Sequence, residues 1–316
     1  MHLDTKIRTA EASLFAHHDV RPEESFIDLP RSAVRLRLLS VGSGPQVVVL
    51  HGVTLTAAVW IPWVHDLAGY RLHLVELPGH GLSGPVEYRR GMVRDHALVL
   101  LDEILDALGL DQPALLGHSL GGMFVLWYAA ARPERVGALV AIGEPAVALP
   151  GAAVRMPLSL LTVPALGPAV LRSPTPRPVY RKLLARGLSP AAATAASDQL
   201  VDVLRLAGRR PGNARTVASL MHAIDGFRRP FPENVMTDAE LGRIAAPAAF
   251  CWGLDDPFLE AGDAAPHLAC IPGATLHEVP GGHGPWLEEP VACAAVVREH
   301  LVAAARSGRL GSVGDE

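Results

Sequence analysis

Residues 113–128 read Pro-Ala-Leu-Leu-Gly-His-Ser-Leu-Gly-Gly-Met-Phe-Val-Leu-Trp-Tyr, and the fold turns on this stretch. A short apolar run, 114–116, enters Gly117-His118-Ser119-Leu120-Gly121, and a longer apolar run, 122–131, leaves it. The first has the length of a buried strand and the second that of a helix, so the pattern is strand, sharp turn, helix. A glycine on each side of the serine, at two-residue spacing, lets backbone pack where a Cβ would clash. Ser119 is thereby pushed to the tip of the turn, at the positive end of a helix whose first N–H groups have no helical partner. A hydroxyl held there suits a nucleophile whose attack creates an oxyanion. A serine among small residues can also do no more than cap a helix, so the assignment depends on the rest of the chain.

Outward from this turn, strand-like and helix-like segments alternate. The apolar runs 47–50, 72–77, 114–116, 136–142, 248–252 and 275–279 are expected to be strands. The run Val47-Val48-Val49-Leu50 is apolar on both faces, as in a strand buried inside a parallel sheet. Helix 93–108 is the clearest: Val93, Ala97, Leu98, Leu101, Ile104, Leu105 and Leu108 share one face, and Gly109 ends it. Ahead of these lie a helical arm over 5–18 and an opening antiparallel hairpin, 25–29 with the alternating residues from Val34 on. The fold class expected is α/β, a mostly parallel central sheet flanked by helices. From Ala146 to about residue 240 the alternation stops. The segment is rich in Ala, Leu, Arg and Pro, with helical patches at 179–186, 191–206 and 214–227. The expected organisation is a first core part, 1–145, a helical insertion, 146–240, and a second core part, 241–316.

With 316 residues, 49% hydrophobic and 19% charged, the chain can bury a substantial core. A net charge of -4 argues against a nucleic-acid partner, whose usual footprint is basic. The longest uncharged apolar stretch, 156–171, contains Pro157, Pro164 and Pro168 and is too short for a membrane span. No secretory signal is visible at the N-terminus, and the three cysteines, Cys251, Cys270 and Cys293, are far apart in sequence. A cytoplasmic location is the expectation. No metal or other cofactor is implied, since the histidines lack metal-ligand spacing. The expected partner is a small-molecule substrate.

A serine hydroxyl needs a base within hydrogen-bond reach, and that base needs an acid to fix its tautomer. Both should sit beyond the carboxyl ends of the strands, with Ser119. After the strand ending at Trp252 comes Gly253-Leu254-Asp255-Asp256-Pro257, and after the next comes Pro280-Gly281-Gly282-His283-Gly284-Pro285-Trp286. The chain order is then Ser119, Asp256, His283.

These pieces, with His51-Gly52-Val53, Glu76-Leu77-Pro78-Gly79-His80-Gly81 and the Ser119 turn, resemble the α/β-hydrolase fold superfamily. The resemblance covers the chain from about residue 25 to the C-terminal helix, without the insertion. It implies Ser119 as nucleophile, His283 as base and Asp256 as acid, with Asp255 or Glu144 as alternative acids. It implies an oxyanion hole from the backbone N–H groups of Val53 and Leu120. Glu144, Trp286 and His51 are candidates to line the substrate site, although His51 and His118 also suit structural roles. The chain departs from many relatives at Glu76, where they carry Asp. The insertion falls where the superfamily carries a helical lid. The activity expected is hydrolysis of an ester, lactone or thioester of a largely apolar small molecule. The alternatives are carbon-carbon hydrolysis of a vinylogous diketone, a cofactor-free oxygenase or peroxidase, acyl transfer, or a hydrolase-like receptor. Arg155, Arg172, Arg177, Arg181, Lys182 and Arg186 either bind a substrate carboxylate or form a solvated face.

Overall fold

The computed structural model describes residues 2–227 and 229–310. Eight strands form one sheet: β1 (Glu23–Leu29), β2 (Val34–Val41), β3 (Gln46–Leu50), β4 (Arg71–Val75), β5 (Ala114–His118), β6 (Ala138–Ile142), β7 (Ala248–Gly253) and β8 (Thr275–Val279). Their spatial order is β1-β2-β4-β3-β5-β6-β7-β8. The β1–β2 and β2–β4 pairs are antiparallel and all others are parallel. The opening hairpin and each expected strand are present. The strand expected at 72–77 ends at Val75; Glu76 still donates its N–H to the Arg37 carbonyl of β2, but the next N–H, that of Leu77, goes to His51 Nε2 instead of a strand.

Before the sheet lies α1 (Leu3–His17), and α2 (Val93–Leu108) and α3 (Leu120–Ala131) flank β5 in sequence. The α2 face expected from spacing is the buried one, and Gly109 adopts the left-handed conformation at its end. The α3 helix is buried from Leu120 to Ala130, which is why its apolar residues run all round it. Side chains of β3 alternate between the two sheet faces. Val48 and Leu50 join the core that holds α2 and α3, while Val47 and Val49 join a second core on the opposite face. That second core packs Trp60 and Trp63, from the 3-10 segment Ala57–Leu67, against the C-terminal helix.

Between β6 and β7 the chain is helical: α4 (Leu166–Arg172), α5 (Arg177–Gly187), α6 (Pro190–Ala195), α7 (Asp198–Ala207), α8 (Pro211–Ile224) and the short α9 (Asp238–Leu241). The helix expected at 191–206 is two helices, divided where Ser197 accepts from the Leu200 N–H and caps α7. From β7 on the chain adds α10 (Ala261–Leu268), α11 (Pro285–Glu288) and α12 (Pro290–Arg306). Among the described residues no helix is long and apolar enough to cross a membrane.

One buried charge cluster ties the arm to the sheet. Arg37, on β2, reaches Glu11 of α1 at 2.7 Å, Glu24 of β1 at 2.5 Å and Glu76 at 3.4 Å. Glu76 also accepts from the Leu82 N–H at 2.7 Å, which fixes the Pro78–Gly81 turn. Burial pushes its carboxyl up to about 7, against the pull of Arg37. Glu76 is therefore a structural member of this turn.

Candidate active site

The parallel register carries the ends of β5, β6, β7 and β8 to one edge. His118 pairs with Ile142, Ile142 with Cys251, and Gly253 with Val279. Ser119 follows the first of these strands with φ 51°, a left-handed value that L residues avoid. The turn is possible because of its glycines. A Cβ on Gly117 would lie 2.4 Å from the Gly121 carbonyl oxygen, and one on Gly121 would lie 2.4 Å from that of Leu50. Leu120 begins α3, so its N–H lies beyond the intrahelical ladder and at the positive end of the helix dipole.

Asp256 and His283 meet at this edge. The His283 Nδ1 lies 2.8 Å from Asp256 Oδ2. The same oxygen accepts from the Glu144 N–H at 2.9 Å, and Oδ1 accepts from the Phe258 N–H at 3.1 Å. Three donors thus converge on one buried carboxylate. Asp255 is solvent-exposed, and only its backbone N–H is engaged, on the Gly281 carbonyl. The imidazole of His283 is flanked by Phe258, with ring centres 4.5 Å apart, and its backbone N–H donates to the Leu188 carbonyl at 2.8 Å. Phe258 and Leu188 were not singled out by sequence reasoning. Phe258 lies two residues after the acid, but nothing near Leu188 in sequence marks it.

The His-Gly loop approaches Ser119 closely. A Cβ on Gly52 would come within 2.6 Å of His118 Nδ1 and 3.2 Å of the Ser119 Cβ. Val53 follows, and the next residue, Thr54, has φ 63° and donates its N–H to His80 Nε2 at 3.3 Å. The other nitrogen of His80 donates to the Pro78 carbonyl at 3.0 Å, which makes Nε2 the acceptor. His80 is a loop-positioning residue that spacing alone did not reveal. His51 sits beneath the loop in the same way, with Nδ1 on the Gly52 carbonyl and Nε2 accepting from the Leu77 N–H. Burial holds it well below the usual imidazole range. His118 is likewise pushed well down by burial and by His283, and its Nε2 lies 2.9 Å from the His283 carbonyl oxygen.

Ser119 and His283 open onto one cavity of about 140 Å³. Its far wall is apolar and comes from the helical insertion, with Leu158, Leu161, Leu171, Leu184, Leu188 and Leu204. Ser119 also lines a smaller cavity of about 30 Å³, together with Val53, Leu120, Phe258 and Glu144. Glu144 is 1% exposed, and its carboxyl is raised well above the usual range by burial and then by the charge of Asp256. Trp286 and His51 are not among the residues lining these two cavities; Trp286 is buried between Trp60 and His118. The basic residues considered for a carboxylate do not line them either. Arg177 pairs with Asp198 and Asp202, and Arg181 with Asp198 at 2.7 Å. Arg205 is the cation on the larger cavity's wall among the described residues, and Asp202 holds it at 2.7 Å. Two of the cysteines also meet: Cys251 and Cys293 are buried with sulfurs 3.5 Å apart.

A family model described as the alpha/beta hydrolase fold matches residues 45–290. The chain is 29% identical over 268 residues to a 2-hydroxy-6-oxononadienedioate/2-hydroxy-6-oxononatrienedioate hydrolase of Dechloromonas aromatica, covering 82% of this chain and 85% of that one. Over 107 residues it is 40% identical to a pimeloyl-[acyl-carrier protein] methyl ester esterase of Aeromonas hydrophila, covering 33% and 39%. In structure it resembles a carboxylesterase from Bacillus subtilis, with TM-score 0.75 at 18% identity over 96% of this chain and 99% of the other.

Proposed function

The chain belongs to the alpha/beta hydrolase family, and on that premise we propose that it is a serine hydrolase that cleaves esters of largely apolar alcohols. One observation carries the reading: His283, held at Nδ1 by the buried Asp256 carboxylate, opens together with Ser119 onto a cavity walled largely by leucines. In this mechanism His283 donates its Nδ1 proton to the Asp256 carboxylate in a hydrogen bond, which leaves Nε2 free to take the Ser119 proton. The Ser119 oxygen attacks the ester carbonyl, and the oxyanion is received by the backbone N–H groups of Leu120 and Val53. His283 returns the proton to the departing alcohol oxygen. Water, activated by the same imidazole, then releases the acid from Ser119. Helices α4–α8, within the insertion 146–240, act as the lid, and the Leu188 carbonyl, which accepts from His283, links that lid to the base. Apolar walls exclude water and strengthen each charge interaction at the reacting centre.

The relatives include hydrolases named for dioates, substrates with two carboxylates. A dicarboxylate needs cations, and the one at the larger cavity is already engaged by Asp202. That supports an uncharged ester over a dioate. Carbon-carbon hydrolysis is the second reading, favoured by that relative matching 82% of this chain and 85% of its own length.

The test is covalent and kinetic. A fluorophosphonate is expected to label Ser119, and Ser119→Ala to lower hydrolysis of 4-nitrophenyl butanoate by about 10⁴-fold or more. Unchanged turnover in that variant would sink the assignment. Faster turnover of a vinylogous diketone than of any acyl ester would select the second reading. Oxygen-dependent activity surviving Ser119→Ala would point to cofactor-free oxygenation.

A further inference from the structure

The two cavities at Ser119 have different walls. His283 lines the larger one, whereas Leu120 and Glu144 line the smaller; Ser119 and Val53 line both. On the serine-hydrolase reading, His283 must protonate the departing oxygen, so the alcohol portion lies on its side, in the larger cavity. The acyl substituent then points the other way, toward Glu144. The smaller cavity measures about 30 Å³ against about 140 Å³ for the larger, so the acyl side offers less room and admits only a short chain.

Most of that wall is apolar, with Val147, Val154, Met221, Ile224 and Phe258. Glu144 interrupts it. The carboxyl is buried, and its Oε1 has no hydrogen-bond partner among the described residues. Buried polar atoms without partners are rare in folded proteins and disfavoured, so an oxygen left this way asks for a ligand. The residue's service to Asp256 does not use the carboxyl at all, since the backbone N–H makes that bond. Burial, and then the adjacent Asp256 charge, raise the carboxyl well above its usual range and so favour the protonated form, which can both donate and accept.

We propose that Glu144 is a specificity-determining residue, whose carboxyl hydrogen-bonds a neutral hydroxyl or keto oxygen on a short acyl chain. The substrate class is thereby narrowed to esters of short hydroxy or oxo acids with apolar alcohols. An anionic acyl group is disfavoured, because Asp256 already supplies a negative charge next to the site.

The experiment compares kcat/KM for the 4-nitrophenyl esters of 3-hydroxybutanoate and butanoate in wild type, Glu144→Gln and Glu144→Leu. The ratio of the two substrates cancels losses common to both. Glu144→Leu is expected to lower that ratio about ten- to hundredfold, and Glu144→Gln, which keeps a donor and an acceptor, to preserve it within about threefold. A ratio unmoved in Glu144→Leu overturns the proposal. If that variant does not fold, infrared difference spectra decide. The protonated-carboxyl band of wild type, absent in Glu144→Gln, should shift on adding 3-hydroxybutanamide and not on adding butanamide; no selective shift overturns the assignment. Retained turnover in Ser119→Ala would instead defeat the underlying hydrolase reading, so the two failures are distinguishable.

Discussion

Replacing Asp256 by Asn tests the site most sharply, because every partner of its carboxylate is a donor. Oδ2 accepts from His283 Nδ1 at 2.8 Å and from the Glu144 N–H at 2.9 Å, and Oδ1 accepts from the Phe258 N–H at 3.1 Å. An amide has one acceptor oxygen and one donor group. In its better orientation the oxygen keeps His283 and Glu144, and the amide N–H₂ faces the Phe258 N–H. One buried donor then loses its acceptor, at a cost of about 1–3 kcal/mol. For a chain of 316 residues the expected fall in Tm is roughly 1.5–4.5 °C. The rate falls further than the stability. A neutral amide cannot stabilise the imidazolium that forms when His283 takes the serine proton, and kcat should drop about 10³- to 10⁴-fold. Initial rates on 4-nitrophenyl butanoate and calorimetric melting measure the two effects separately. Asp255→Asn is the control: its side chain is solvent-exposed, so both quantities should stay near wild type. A rate for Asp256→Asn within tenfold of wild type, or an equal loss in Asp255→Asn, would refute this reasoning.

Gly52→Ala places a Cβ 2.6 Å from His118 Nδ1 and 3.2 Å from the Ser119 Cβ, so the loop must retreat; kcat should fall about 10²-fold with KM nearly unchanged, measured by steady-state kinetics. Glu144 has its carboxyl raised above the usual 4.5, so its unfolded form ionises first and stability is lost as pH rises past that value. Glu144→Gln removes this loss, so its stability relative to wild type should increase as pH rises above 4.5, measured by melts from pH 4 upward; a constant difference would contradict it. His80 is depressed to about 4 and His51 lies well below 6.5, so the unfolded chain takes up protons that the folded one refuses. Melting temperature should therefore fall as pH drops from 6.5 toward 4, and His80→Asn should flatten that slope. Arg37→Met leaves Glu11 and Glu76 buried without their cation and should destabilise by about 3–5 kcal/mol in urea melts.

Much of the architecture follows from local rules. The Gly117–Gly121 turn is legible because its two glycines flank the serine within five residues, although the carbonyl that a Cβ on Gly121 would meet belongs to Leu50 of β3, and the strands are legible because burial on both faces demands unbroken apolar runs. Chain order then carried Asp256 and His283 to the edge where Ser119 stands, since parallel strands deliver successive loops to one side. The resemblance favoured Asp256 over its neighbour Asp255, and the turn after β7 sets the Asp256 carboxylate 2.8 Å from His283 Nδ1 while Asp255 faces solvent. Trp286 had the type of a pocket residue, yet it packs between Trp60 and His118 instead.

The sequence by itself determined the strands and the serine turn, which depend on periodicity or on spacing within one segment, and the triad candidates, which follow from the order of loops along a parallel sheet. Only the tertiary structure decided that Leu188 of the insertion binds the His283 backbone, that Cys251 meets Cys293, and that Glu144 stands in a second cavity with an unpartnered oxygen. Those outcomes sum sheet register and helix packing over segments distant in sequence. No local pattern encodes such a sum.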